Sequence, residues 1–148
     1  MLRPRIGRTL RSEYAGEVTP MRIETLCSAG VITAEVTDTL FEAAQTMASN
    51  HVGALAVLDE GVLVGVISEA DLVTAIAEEA PMELTTVDEF MTADAITVTP
   101  GDDAGIAARR MVENGIGHLP VMERDSTIGM VSKGDLLAVG AIAAPRER

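Results

Sequence analysis

A serine followed three residues later by an aspartate occurs twice in this sequence, each time at the same distance after a glycine. The two copies span Gly65–Asp71 and Gly129–Asp135. A carboxylate in the first turn of a helix can accept hydrogen bonds from two vicinal hydroxyls, such as those of a ribose, while the serine hydroxyl and the first backbone N–H groups meet a phosphate oxygen. The same spacing is also typical of an ordinary helix start in which serine or aspartate caps the helix. The motif alone leaves both interpretations open.

Both motifs occupy equivalent places in an internal repeat. A shift of 64 residues aligns residues 26–73 with residues 90–137 without a gap, and 15 of the 48 aligned positions are identical. Each copy predicts a short strand, a helix, a hairpin and a second helix. A unit of about 60 residues buries its apolar faces poorly alone. The sequence therefore predicts an α/β (α+β) fold of two tandem β-α-β-β-α repeats packed as a pseudo-two-fold pair.

Local signals predict the borders of these elements. Thr39 with Glu42, and Asp103 in the second copy, predict the starts of the first helices. Asn50 and Asn114 are predicted to end them in a left-handed conformation. The first strands are predicted at Val31–Thr33 and Ala95–Val98, and the second helices from Asp71 to Glu79 and from Asp135 towards Ala144. The hairpins are predicted to pair Ala54–Leu58 with Leu63–Ser68 and Leu119–Met122 with Thr127–Ser132. Pro120 indicates that its strand is an edge strand or irregular.

Charge divides the chain into a basic end and an acidic body. The net charge is −12, yet five of the 11 Lys and Arg residues fall within residues 1–22. An acidic body repels phosphate backbones and anionic lipid, so we expect neither nucleic acid nor membrane as a partner of the core. The predicted division is a mobile basic arm at 1–22 (alternatively a transit peptide, or an extension before a start at Met21), a first repeat at 23–80, an acidic connector at 81–89, a second repeat at 90–144 and a tail at 145–148.

Signatures of several other classes are missing from the sequence. Cys27 is the single cysteine, so no intrachain disulfide can form, and no cluster of Cys and His predicts a metal site. No apolar run reaches the roughly 18 residues of a membrane span, and no apolar stretch predicts a secretory signal. No motif combines a nucleophile with a base, and no phosphate-cradling glycine loop is present. We therefore predict a cytoplasmic protein that is not an enzyme and has no catalytic residues.

Four stretches carry a family resemblance. They are FMTADAITVTP, ENGIGHLPVME and IGMVSKGDLLAV in the second copy and HVGALAVLDEGVLVGVISEADLVTA in the first. Together they resemble the signature segments of a CBS domain pair, or Bateman module, over about residues 23–143. The resemblance implies a regulatory module in signalling, with two clefts between the repeats that bind AMP, ADP, ATP or S-adenosylmethionine. It further implies a homodimer shaped as a disc of four CBS domains, and a protein partner that the sequence does not identify.

The resemblance also implies which residues contact the ligand. In the repeat 2 cleft these are Asp135 at the ribose, Ser132, His118 and Lys133 near the phosphates, and Ile32, Thr33 and Val52 around the adenine. In the repeat 1 cleft they are Asp71 and Ser68, with Ile96, Thr97 and Ile116 around the adenine.

The two clefts are not expected to be equal. The stretch Leu26–Phe90 contains no Lys or Arg, and the residues aligned with His118 and Lys133 are Ala54 and Glu69. Because two like charges at 4 Å repel by about 1 kcal/mol even in water, an anionic ligand favours the repeat 2 cleft. The repeat 1 cleft is expected to be empty or to suit a neutral or positively charged adenosyl ligand.

Interpretations that involve no ligand also remain open at this point. The whole chain could be a structural dimerisation or interaction domain that needs no ligand. His118 could be a partly buried, hydrogen-bonded residue beside a strand, and His51 suits a surface position at a helix end. Arg109 and Arg110 lie on a helix, where a surface or dimer-interface position is the simplest interpretation.

Overall fold

The computed structural model describes residues 21–27 and 30–142. The predicted basic arm, except for its last two residues, and the predicted tail lie outside the described residues. The described elements, in chain order, are α1 (Ile23–Leu26), β1 (Thr33–Glu35), α2 (Leu40–Asn50), β2 (Ala54–Asp59), β3 (Val62–Ser68), α3 (Glu69–Ala77), a 3-10 helix (Val87–Glu89), β4 (Thr92–Ala93), α4 (Ala104–Asn114), β5 (His118–Glu123), β6 (Ser126–Ser132) and α5 (Lys133–Ala138).

The two repeats fold alike, which confirms the predicted architecture. β2 and β3 pair as an antiparallel hairpin in which Ala54 lies opposite Ser68. β5 and β6 pair in the same register, with His118 opposite Ser132, and both hairpins carry an irregularity at the equivalent place. The hairpins therefore end on the two serines of the repeated motif, each of which leads directly into a helix.

The first strand differs between the repeats. β1 lies parallel to β2 in a four-stranded sheet of order β1-β2-β3-β4. The strand β1 begins two residues later in the chain than predicted. The predicted strand at residues 95–98 is reduced to one parallel bridge, from Val98 to Val121. In repeat 1, the Val36 N–H donates to the Leu58 carbonyl and the Ala56 N–H donates to the Ile32 carbonyl. The counterparts of these two donor residues in repeat 2 are Pro100 and Pro120, which have no N–H to donate, so the second ladder does not form.

The first helix of each repeat begins as predicted, but its left-handed end does not fall on the predicted residue. Thr39 and Glu42 form the capping box, and the Asp103 side chain accepts a hydrogen bond from the first turn. The prediction for Asn50 and Asn114 was wrong by one residue. The left-handed positions are the next residues, His51 (φ 55°) and Gly115 (φ 64°), because the asparagine amides instead donate back to carbonyls one turn earlier, at 2.8 Å.

The second helices begin two residues earlier than predicted. Ser68 and Ser132 are their N-caps, so α3 begins at Glu69 and α5 at Lys133. α5 ends at Ala138, well before Ala144, because Gly140 adopts a left-handed conformation (φ 78°) that closes the helix.

The two hydrophobic cores exchange their leading segments. Ile23 is fully buried in the core of repeat 2, where its N–H donates to the Asp102 carbonyl at 2.9 Å. Val87 is fully buried in the core of repeat 1, where its N–H donates to the equivalent Asp38 carbonyl at 2.8 Å. Each repeat therefore completes its core with a segment that directly precedes the other repeat in the chain, and separating the repeats would expose both cores.

This exchange places different atoms over two equivalent glycines. A Cβ on Gly65 would lie 2.6 Å from the backbone oxygen of Thr92, whereas a Cβ on Gly129 would meet the Sγ atom of Cys27 at 3.0 Å. We expect Gly65→Ala to destabilise the protein by about 1–3 kcal/mol, since a backbone strand must move. We expect a smaller loss for the matched variant Gly129→Ala, since a side chain can rotate away. Urea unfolding measures both, and an equal or larger loss in Gly129→Ala would contradict this account.

Candidate functional site

Two cavities lie between the repeats. The larger, which we call the Asp135 cleft, has a volume of about 750 Å³. It is lined by Gly30, Val31, Ile32, Asn50, His51, Val52, Gly53, Ala54, Gly117, His118, Met130, Ser132, Lys133, Gly134 and Asp135. Its floor is the junction of β6 with α5, and its opposite wall comes from repeat 1.

The smaller cavity, which we call the Asp71 cleft, has a volume of about 440 Å³. It is lined by Gly53, Val66, Ser68, Glu69, Ala70, Asp71, Thr92, Ala95, Ile96, Gly115, Ile116, Gly117 and His118. Its floor is the junction of β3 with α3, and repeat 2 supplies the opposite wall. The two cavities are thus related by the same pseudo-symmetry that relates the repeats.

Most residues expected at the two sites line the corresponding cavity. Ten of the twelve do so, and His118 lines both cavities. Thr33 and Thr97 line neither. Thr33 is held in β1 opposite Ala56, and the Thr97 carbonyl accepts a hydrogen bond from Arg110 at 2.6 Å.

Several lining residues were not singled out from the sequence as ligand contacts. Met130 and Gly134 gave no signal of their own, and Asn50 was interpreted as the end of a helix. His51 was expected at the surface, and although it is exposed it also lines the Asp135 cleft. Gly53 and Gly117 could have been found, since they are identical positions of the repeat and glycine marks places where a backbone is approached closely.

The Ser-x-x-Asp motif combines both interpretations that the sequence left open. Ser132 is the N-cap of α5 and accepts a hydrogen bond from the Asp135 N–H at 3.1 Å, while Asp135 Oδ2 accepts one from the Ser132 N–H at 2.8 Å. Within the described residues, Asp135 Oδ1 has no hydrogen-bond partner. One carboxylate oxygen therefore holds the start of the helix, and the other is left for a group in the cleft.

The equivalent motif in repeat 1 differs in one hydrogen bond. Ser68 and Asp71 form the same capping box, but Ser68 Oγ also donates to Asp71 Oδ2, at 3.0 Å. In repeat 2 the Ser132 hydroxyl makes no such bond within the described residues. The Ser68 hydroxyl therefore has an intramolecular acceptor, and the Ser132 hydroxyl has none within the described residues.

The charges of the two clefts differ in the direction that the sequence indicated. Lys133 lines the Asp135 cleft, and Glu69 occupies the equivalent place in the Asp71 cleft. A Cβ on Gly53 would lie 2.9 Å from Glu69 Oε1 and 3.5 Å from His118 Nε2, so both side chains lie directly over this glycine. The Asp71 cleft thus holds two carboxylates, whereas the Asp135 cleft holds one carboxylate and one ammonium group.

His118 lies half-buried where the two clefts meet. Burial lowers the pKa of its imidazole below the ordinary value, although Glu69, Asp135 and Asp71 act in the opposite direction. The side chain is therefore predominantly neutral near pH 7, with one N–H donor and one acceptor nitrogen. Within the described residues, no group of three His, Cys, Asp or Glu side chains is arranged to hold a metal ion.

The fold is a tandem module of two α/β repeats, and a cleft lies at the start of the second helix of each repeat. The chain belongs to the CBS domain family: the family model matches residues 23–78 and again residues 87–141. CBS domain pairs are regulatory modules. The family expected from the sequence phrases is thus confirmed.

Two relatives illustrate how the match is distributed. The uncharacterized protein MJ1225 of Methanocaldococcus jannaschii is 32% identical over 108 residues, which are 72% of this chain and 38% of that protein. The CBS domain-containing protein YhcV of Bacillus subtilis is 29% identical over 106 residues, which are 72% of this chain and 76% of that protein. The chain therefore spans most of YhcV but well under half of MJ1225.

Solved structures of CBS domains share the fold. The CBS domain pair of protein MJ0100, in complex with 5-methylthioadenosine and S-adenosyl-L-methionine, superposes with a TM-score of 0.76 at 25% identity, covering 82% of this chain and 97% of that one. CBS domain protein PAE2072 from Pyrobaculum aerophilum, complexed with AMP, gives 0.72 at 27% identity, covering 78% and 90%. No helix among the described residues is long and apolar enough to cross a membrane.

Proposed function

We propose that this protein is a regulatory module that binds an adenosine-containing ligand in the Asp135 cleft. The observation that carries the proposal concerns the Asp135 carboxylate, which lines a cleft of about 750 Å³. Its Oδ2 atom accepts a hydrogen bond from the Ser132 N–H, and its Oδ1 atom has no hydrogen-bond partner within the described residues. A free carboxylate oxygen at a helix start suits the two hydroxyls of a ribose. The cleft is also within the range of volumes typical of small-molecule sites.

The polar groups around Asp135 favour a phosphorylated ligand. Lys133 supplies a positive charge, the Ser132 hydroxyl, which accepts from the Asp135 N–H, makes no donated hydrogen bond within the described residues, and His118 can donate one hydrogen bond. Ile32 and Val52, on the opposite wall, offer apolar surface to an adenine ring. AMP, ADP and ATP therefore fit this cleft better than an uncharged nucleoside. PAE2072, which is complexed with AMP, is a structural relative.

The Asp71 cleft suits a different ligand. Glu69 and Asp71 line it, and no Lys or Arg lies among its lining residues. A phosphate there would face two carboxylates, whereas a positively charged sulfonium would be attracted. We propose that this cleft is empty or accepts a neutral or cationic adenosyl ligand such as S-adenosylmethionine. MJ0100, which is in complex with S-adenosyl-L-methionine, is a relative with a similar fold.

A thermal-shift series tests the proposed function directly. A ligand that binds the folded state alone stabilises it by mass action, by about 2.7 kcal/mol at a hundredfold excess over Kd. We therefore expect the melting temperature to rise by several degrees with AMP, ADP or ATP and by less with adenosine, while inorganic phosphate and guanosine nucleotides leave it unchanged. A chain that responds to no adenosine compound, S-adenosylmethionine included, would refute the proposal.

A ligand-independent dimerisation domain is the second candidate function. Val73 and Ile76 of α3 are exposed by 64% and 61%, three residues apart on one face. A second copy covering this face would fit the disc of four CBS domains that the resemblance implies. Light scattering of the ligand-free protein would give a dimer under this candidate function. The thermal-shift series separates the two candidates, because this one predicts no response to any ligand.

A further inference from the structure

The two clefts share a thin wall. Three residues line both cavities, namely Gly53, Gly117 and His118. Because glycines have no side chains, the imidazole of His118 is the one side chain within the described residues that reaches both clefts. The equivalent residue of repeat 1 is Ala54, so the arrangement occurs once and breaks the pseudo-symmetry.

Charged groups face His118 from both sides of this wall. α3 contributes Glu69 and Asp71, and α5 contributes Asp135 and Lys133. His51, at the end of α2, lines the Asp135 cleft as a second imidazole. The carboxylates favour a protonated His118, but burial opposes protonation more strongly. An anionic ligand in the Asp135 cleft adds a further negative charge beside His118. Lys133 is the one permanently charged cation among the residues that line this cleft.

We propose that His118 takes up one proton from solvent when a phosphorylated adenosine binds in the Asp135 cleft, so that occupancy of the module responds to pH as well as to nucleotide. This inference rests on the proposed function. A neutral imidazole has one N–H donor, and an imidazolium has two. The protonated ring can therefore donate to a phosphate oxygen in one cleft and to a carboxylate such as Glu69 at the same time. Affinity for a phosphorylated ligand should consequently rise as the pH falls from about 8 towards 6.

Calorimetry in buffers of different ionisation enthalpy measures the protons taken up on binding. AMP and adenosine are each titrated into three proteins: the wild type, the variant His118→Gln and the matched control His51→Gln. The control removes the other histidine that lines the cleft. Because a phosphate monoester itself titrates near pH 6, at about the same pH as histidine, the quantity to compare is the difference between variants. We expect the wild type and His51→Gln to take up more protons per AMP than His118→Gln, by at most one, and we expect adenosine to bind without this uptake.

The outcomes separate this inference from the proposed function. If neither AMP nor adenosine binds, the proposed function fails. If AMP binds with the same proton uptake in the wild type and His118→Gln, or if His51→Gln abolishes the uptake, the inference about His118 is wrong while the proposed function stands. Should His118→Gln fail to fold, NMR titration of the two histidines in the wild type replaces it. An AMP-dependent rise in the pKa of His118 would then support the inference, and an unchanged pKa would overturn it.

Discussion

Replacement of Asp135 by asparagine is expected to weaken AMP binding by a factor of ten or more. A hydrogen bond to a charged group contributes about 1.5–3 kcal/mol, and each 1.4 kcal/mol corresponds to about tenfold in affinity. The ribose hydroxyls would lose a carboxylate acceptor. In the wild type, Asp135 Oδ2 accepts a hydrogen bond from the Ser132 N–H at 2.8 Å. The side-chain carbonyl oxygen of asparagine can accept the same bond, so we expect the start of α5 to be retained.

The matched variant is Asp71→Asn, which makes the same chemical change in the equivalent capping box of repeat 1. We expect it to change AMP affinity by about twofold or less, since Asp71 lines the other cleft and remote charges are screened. Isothermal titration calorimetry measures both affinities, and urea unfolding checks that the two variants lose similar stability. Equal losses of affinity in the two variants would mean that AMP does not choose the Asp135 cleft.

The exchange Glu69→Lys should create a second site for phosphorylated ligands. Glu69 and Lys133 occupy equivalent first positions of α3 and α5. The substitution removes a carboxylate that faces the Asp71 cleft and supplies the ammonium group that the Asp135 cleft already has. We expect the stoichiometry of AMP binding to rise from one to two per chain. Stability should fall by about 0.3–1 kcal/mol, since a cation replaces an anion at a helix N-terminus.

The reverse exchange provides the control. Lys133→Glu gives the Asp135 cleft the charges of the Asp71 cleft, so we expect it to lose high-affinity AMP binding while adenosine binding persists. Equilibrium dialysis with labelled AMP gives the stoichiometry for both variants. If Glu69→Lys leaves one site per chain and Lys133→Glu keeps its affinity, the charge at this helix position does not select the ligand, and the proposed difference between the clefts fails.

The sequence predicted the parts of the fold that depend on neighbouring residues. The capping box of Thr39 and Glu42, the hairpin turns and the equivalent motifs at Ser68 and Ser132 all rest on short-range hydrogen bonds or spacing. The capping box of Thr39 and the hairpin turns were found where they were expected, whereas Ser68 and Ser132 cap helices that begin two residues before the predicted starts. The helix ends were predicted less well, because Asn50 had two local options and its amide bonds to the preceding turn.

The strand at residues 95–98 needed information beyond its own residues. Its composition is typical of a strand, but a strand forms only if a neighbour completes the ladder. Pro100 and Pro120 remove two of the donors that the equivalent pairing in repeat 1 uses. The prolines are visible in the sequence. Which carbonyls they leave without a donor becomes clear only when the pairing of the strands is known.

By itself, then, the sequence determined that there are two repeats, that each presents a serine and an aspartate at a helix start, and that within the repeats the Lys and Arg residues belong to the second copy. The tertiary structure decided that residues 21–27 complete the core of repeat 2 and that Val87 completes that of repeat 1. It also decided that His118 lines both clefts. The physical reason is that spacing along a chain fixes contacts within about one turn or one hairpin, whereas packing across the pseudo-two-fold axis depends on how two completed units bury their apolar surfaces against each other.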